Sequence, residues 1–86
     1  MRVLDVVDTP NPNAMKFILE SPVSTGTKSY FDAGMAKDDP LATRLFAIPG
    51  VKGVMLLGSF ITITRSADTA WAQILDGVNK TLNAEH

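Results

Sequence analysis

The sequence predicts an α+β fold, a mainly antiparallel sheet made of two β-hairpins with two helices on one face, in the order ββαββα. Three observations predict it. Two pairs of valine-, isoleucine- and phenylalanine-bearing segments are each joined by a turn-forming stretch. Each pair is followed by a segment whose apolar residues recur at helical spacing. The 86 residues, 45% hydrophobic and 20% charged, form an ordinary globular mixture that buries one layer of sheet beneath one layer of helix. The length fits one domain over 1–86. A chain of this size buries roughly 60–65% of its unfolded surface, and its stability is expected on the order of 5–8 kcal/mol.

Arg2 to Asp8 is rich in valine and reads as a strand. Thr9 to Asn13 is a turn cluster: Pro10 and Pro12 fix φ and remove two donors, and Asn11 and Asn13 bond readily to nearby backbone. Met15 to Leu19 reads as the second strand, with Met15, Phe17 and Leu19 pointing one way and Lys16 and Ile18 the other. The pair forms an antiparallel hairpin with a long, stiff loop. Glu20 to Thr27, with Pro22, Ser24 and Gly26, is loop. Lys28 to Phe31 is a candidate short edge strand, and Asp32 to Lys37 reads as irregular.

Asp39-Pro40 starts a helix, since aspartate caps free N–H groups and proline suits the first helical position. Leu41, Leu45 and Ile48 follow at i, i+4 and i+7, Phe46 widens the stripe, and Pro49-Gly50 ends it. Val51 to Leu57 and Phe60 to Arg65 flank Gly58-Ser59, which suits a two-residue type II′ turn. That register sets Leu57 opposite Phe60, Leu56 opposite Ile61, Met55 opposite Thr62 and Val54 opposite Ile63. Val54, Leu56, Ile61 and Ile63 then make a core face. Met55, Leu57, Phe60, Thr62 and Thr64 make a surface or interface. Ser66 or Asp68 caps a last helix from about Thr69 to Leu82, with Trp71, Ile74, Leu75, Val78 and Leu82 as its stripe. Gly77 weakens that helix slightly, and Asn83 to His86 is expected to fray.

Composition excludes several function classes. The net charge of −1 is spread along the chain and leaves no footprint for nucleic acid or an anionic membrane. No cysteine is present, which rules out a disulfide framework and a thiolate zinc site, and a cytoplasmic setting suits such a domain. The start is too short and too acidic for a signal peptide, and no apolar run reaches the roughly 20 residues of a membrane span. Ser21, Ser24, Ser29, Ser59 and Ser66 have no internal histidine to activate them. Gly50, Gly53 and Gly58 fit no phosphate-binding pattern. Asp38 and Asp39 read as helix-start residues, and Asp5, Asp8 and Asp32 share no metal-loop spacing. The single histidine, His86, reads as a terminal residue rather than a ligand. No enzyme activity, metal site or cofactor is expected.

What remains is a candidate protein interface: Asn11, Pro12, Asn13, Lys16, Met55, Leu57 and Phe60. The Thr9–Asn13 loop is either a recognition surface or simply a stiff turn. Lys16 either steers an acidic partner or is solvated. Met55, Leu57 and Phe60 are either a docking patch or a second core layer under the loop from Glu20 to Lys37. Trp71 is read as a core anchor.

Several of these segments, in their order and spacing, resemble one family. Thr9-Pro10-Asn11-Pro12-Asn13-Ala14-Met15-Lys16-Phe17 is followed by Leu45-Phe46-Ala47-Ile48-Pro49-Gly50-Val51-Lys52-Gly53-Val54, then Phe60-Ile61-Thr62-Ile63-Thr64, Asp68 and Trp71. Together they are similar to the N-terminal domain of Nfu/NifU-type scaffold proteins over nearly the whole chain. In that family the domain often precedes a second one whose C-x-x-C motif carries an iron–sulfur cluster. The resemblance therefore implies the family fold, a stand-alone or excised N-terminal domain, and an association with Fe–S cluster assembly. It does not extend to cluster binding, which needs thiolates or imidazoles. The implied function is an accessory or adaptor domain, monomeric, whose partners are an Fe–S scaffold, a carrier or a client apoprotein. The alternative is a general protein-interaction or regulatory module outside Fe–S metabolism.

Overall fold

Five strands hydrogen-bond in the order β1-β2-β5-β4-β3, every neighbouring pair antiparallel. They are β1 (Val3–Asp8), β2 (Ala14–Leu19), β3 (Lys28–Tyr30), β4 (Val51–Leu57) and β5 (Phe60–Arg65), with helices α1 (Pro40–Phe46) and α2 (Trp71–Asn83). The structure is a computed structural model and describes residues 2–84. Both expected hairpins form, and β2 pairs with β5 to join them at the centre of the sheet. The β4–β5 register is the one the turn dictates, Leu57 opposite Phe60 through Val54 opposite Ile63. Gly58 takes φ +57°, and among the described residues no non-glycine residue has positive φ. Only the first turn residue is therefore left-handed, as type II′ requires. The short strand at Lys28 also forms, and it closes the β4 side of the sheet.

One face of the sheet and both helices share the core. Phe17, Leu19, Val54, Leu56, Ile61 and Ile63 pack against Ala42, Leu45 and Ile48 on the α1 side and Ile74, Val78 and Leu82 on α2. Asp39 caps α1 by accepting the Ala42 N–H at 3.1 Å, with Pro40 in the first turn. Its other carboxylate oxygen accepts the Tyr30 hydroxyl at 3.0 Å, which ties the edge strand to the helix. Among the described residues no polar side chain is buried, and no helix is long and apolar enough to cross a membrane.

Three local expectations change. Asp32 to Lys37 is not simply irregular: it holds a 3-10 helix, Ala33–Ala36, because the Asp32 carboxylate accepts the Met35 N–H and turns Ala36 into the core. The last helix begins at Trp71, with Ala70 at its N-cap and no side-chain cap. Ser66 and Asp68 are unavailable for capping because the serine hydroxyl donates to the aspartate within a preceding turn, and Thr69 N–H closes that turn on the Ser66 carbonyl. That hydroxyl also holds the Asp68 carboxyl below its usual range. Gly77 is more than a weak point in α2. A Cβ there would meet Ile48 Cγ2 at 2.8 Å, so the glycine is what lets the helix approach the end of α1. At the terminus the helix reaches Asn83, and Glu85 and His86 lie outside the described residues.

Candidate functional site

Alternation along β2, β4 and β5 sends one set of side chains into the core and the other onto a sheet face that no helix covers. Register aligns this second set in rows. Asp5, Ile18, Phe60 and Leu57 stand side by side across four strands. The next row runs Val7, Lys16, Thr62, Met55 and Ser29. A third row, Ala14, Thr64 and Gly53, has small side chains. The face thus has a row that is apolar except for Asp5 at its β1 end, a mixed row carrying one lysine, and a low row.

Met55 and Leu57 are 37% and 44% exposed on this face. The reading of a second core layer under the Glu20–Lys37 loop is thereby excluded. The segment runs beside them rather than over them: Ser29 pairs with Met55 at the edge of the sheet, and Val23 N–H donates to the Gly58 carbonyl at 2.8 Å while its side chain packs against the core. Phe60 is half-buried, and Lys16 Nζ lies 4.1 Å from the centre of its ring, a diagonal cross-strand cation–π contact. Lys16, Met55, Leu57, Phe60 and Thr62 line one hollow of about 210 Å3. Four of the seven anticipated residues are therefore contiguous.

The other three, Asn11, Pro12 and Asn13, sit at the end of the sheet. The loop that holds them is built by its own polar atoms. Asn11 N–H donates to the Thr9 hydroxyl at 3.1 Å, and Asn13 N–H to the Asn11 side-chain oxygen at 2.9 Å. Arg65 N–H donates to the Asn13 carbonyl at 2.7 Å. Trp71 completes this end. It is half-buried and packs against the core rather than anchoring it, because its ring spans from the helix start to the loop. Its indole N–H points at the Pro12 carbonyl, 3.5 Å away, and the Arg65 guanidinium lies 5.0 Å from its ring centre. The loop and Trp71 together line a cleft of about 410 Å3, with Asp8 and Arg65 among its walls.

Sequence reasoning left Phe31 unremarked among interface candidates, yet at 76% exposed it is the barest large apolar side chain described. It shares a second hollow beside the low row with Lys52, Asn13 and Thr64. Ile18 and Val7 were also passed over; an isoleucine alternating outward beside Lys16 was the available signal. Among the described residues no three histidine, cysteine or acidic side chains stand where they could hold a metal ion.

A family model described as "Scaffold protein Nfu/NifU N terminal" matches residues 4–86. The human "NFU1 iron-sulfur cluster scaffold homolog, mitochondrial" is 48% identical over 59 residues, 67% of this chain and 23% of that protein. The chain spans about a quarter of the length of the curated relatives it matches. The crystal structure of protein SAV1430 from Staphylococcus aureus superposes with a TM-score of 0.78 at 26% identity, covering 95% of this chain and 99% of that one. A NifU-like protein from Saccharomyces cerevisiae gives the same TM-score, 0.78, at 22% identity, over 94% of this chain and 75% of that one. The yeast likeness bears on the fold alone.

Proposed function

The chain belongs to the Nfu/NifU N-terminal family, and from that premise we propose that it is an adaptor in iron–sulfur cluster assembly or delivery, acting through protein contacts. The observation that carries this reading is family membership in a sequence without thiols. A protein-held cluster needs several thiolates, sometimes with imidazoles, and these 86 residues contain no cysteine and one terminal histidine. The donor set does not fit a cluster, so none is assigned to this chain's own side chains. The cluster is cargo carried on a partner's cysteines.

The mechanism is positioning. A domain that holds a client apoprotein beside a cluster carrier converts their encounter into an intramolecular one and raises the effective concentration of one for the other. Nothing in this requires catalysis, and no catalytic step is assigned. The proposed partners are a scaffold, a carrier or a client apoprotein, bound to a monomer of this chain in the cytoplasm. The open sheet face supports the reading because it offers exposed apolar side chains on a rigid scaffold.

Affinity capture from native cytosol with identification by mass spectrometry tests it. Enrichment of Fe–S scaffolds, carriers or client enzymes by the wild-type chain, lost with folded variants of Asn11 and Asn13 to alanine or of Phe60 to aspartate, is the expected outcome. A reproducible set of partners unrelated to Fe–S chemistry refutes the adaptor and favours a general interaction module.

A further inference from the structure

We infer that the open sheet face is the docking surface for an amphipathic helix of the partner, one whose apolar stripe is flanked by acidic side chains. The inference rests on the adaptor reading for the partner's identity, and on geometry for the rest. β2, β5 and β4 each have a hydrogen-bonded strand on both sides, so their backbone has no donors or acceptors to offer a ligand lying on the face. An extended ligand strand laid there would leave its own N–H and C=O groups without protein partners. A helix satisfies its backbone internally and brings only side chains.

Apolar and charged groups set the chemistry. Ile18, Phe60 and Leu57 form a continuous apolar row, with Met55 beside it. Such a row suits a stripe repeating at i, i+3, i+4 and i+7, and an unbranched thioether adapts to its packing. Lys16 is the charge at the centre of the face, held against the Phe60 ring and paired with no carboxylate among the described residues. The one acidic residue in these rows, Asp5, stands at the β1 end of the apolar row, and its carboxylate is turned to its own backbone, accepting the Val6 N–H at 2.8 Å. A second lysine, Lys52, stands at the margin beside Phe31. A partner carboxylate at Lys16 therefore meets an unpaired cation next to the apolar row, and a partner lysine there meets repulsion.

The test uses two synthetic capped helices of about 15 residues, long enough to hold helical structure. Both carry leucine at i, i+3, i+4 and i+7; one has glutamates flanking the stripe and its twin has lysines at the same places. Each is titrated into the 86-residue chain and followed by backbone and methyl chemical shifts. The expected result is binding of the glutamate helix about three- to tenfold tighter than the lysine helix. Shifts should centre on Ile18, Met55, Leu57 and Phe60, leaving the Ile74 and Val78 methyls unmoved. Lys16→Glu, at a half-buried surface position, reverses the preference between the two helices. Leu57→Ser weakens both.

Equal binding of the twins, an unchanged preference in Lys16→Glu, shifts on another surface, or no binding of either helix overturns the inference. The adaptor reading fails separately. If cytosolic capture recovers Fe–S proteins as well with Lys16→Glu as with wild type, the docking face is wrong and the adaptor stands. If the glutamate helix docks as described while captured proteins lie outside Fe–S chemistry, the face stands and the adaptor falls.

Discussion

Replacing Gly77 by alanine sets two opposed effects against each other, and the structure decides between them. Alanine is favoured over glycine in a helix interior by about 0.8–1 kcal/mol, so on propensity alone the change stabilises α2. The new Cβ, however, would lie 2.8 Å from Ile48 Cγ2 and 3.0 Å from Cγ1, against an ordinary carbon contact of about 3.5–4.0 Å. Both atoms branch from the Cβ of a side chain that is 7% exposed, so relief requires moving the helices apart. Overpacking of this kind costs about 1–3 kcal/mol. The balance is a loss of about 1 kcal/mol, which lowers Tm by about 4–8 °C in a domain of this size. Urea unfolding read by the fluorescence of Trp71, the single tryptophan, measures it directly. The same contact dictates the response of its partner. Ile48→Val removes Cδ1, the most distant of the three short contacts at 3.2 Å, and leaves the two closest, so it gives little rescue of Gly77→Ala. Ile48→Ala removes all three, and so it costs less in the Gly77→Ala background than in wild type, a coupling that a double-mutant cycle resolves. If Gly77→Ala instead stabilises the protein by the full propensity gain, the close approach of the helices is refuted.

Adjacent leucines on β4 test the two-sidedness of the sheet: Leu56→Ala, at 1% exposure, costs about 2–5 kcal/mol, whereas Leu57→Ala, at 44%, costs under about 1 kcal/mol. Equal losses in denaturant unfolding contradict the register. Burial, with the bond to Asp39, raises the Tyr30 hydroxyl above its ordinary value near 10. The contribution of this group is complete below that ordinary value and is lost as pH rises through the raised one, so wild type loses stability in alkali and Tyr30→Phe loses less over the same interval. Superimposable alkaline unfolding profiles refute that link. On the outer edge, Leu19 N–H points to the β5 side and Glu20 N–H to the β1 side. Alternation then directs the Val6 N–H away from β2, where the Asp5 carboxylate covers it. Asp5→Ala uncovers this donor and promotes edge-to-edge self-association in sedimentation experiments, and a sedimentation profile identical to wild type at high concentration discounts the guard. Phe60→Asp forfeits about 0.5–1 kcal/mol of cation–π contact plus part of the ring's burial, but sets a carboxylate diagonal to Lys16, so the fold survives while partner capture is lost. Global unfolding places Phe60 in the core.

Much of the fold was legible because its signals are local. The β4–β5 register follows from one glycine and the period of two, and the α1 start from one aspartate and one proline. Most of what escaped the sequence depends on which of several available partners a side chain takes in the folded chain. Trp71 lies on a perfectly helical stripe, yet it is drawn to the rim by the Pro12 carbonyl and Arg65, 59 and 6 positions away. Ser66 and Asp68 each have the chemistry of a helix cap, but they satisfy one another first. Gly77 looks like a defect until Ile48 is placed beside it. Phe31 carries no periodic signal at all, since it falls between the edge strand and the 3-10 helix. The interface candidates divide in the same way: the four on the sheet follow from alternation, while the relation of the Asn11–Asn13 loop to Trp71 required the whole topology.

On the adaptor reading, the two faces of the sheet divide stability from recognition. The six sheet residues of the main core cluster lie on the helix side, and a substitution there acts on the folded fraction before it acts on any partner. The open side holds Met55, Leu57 and Lys16, whose replacement leaves that core in place. An adaptor needs this separation, since its specificity must be adjustable at nearly constant stability in a domain with only about 5–8 kcal/mol to lose. Cluster chemistry has no such freedom: thiolate ligands must be kept in fixed number and geometry. On the adaptor reading proposed above, these 86 residues supply the adjustable part of the task, and the proposed docking face makes the apolar row and the charge at Lys16 the determinants of partner selectivity.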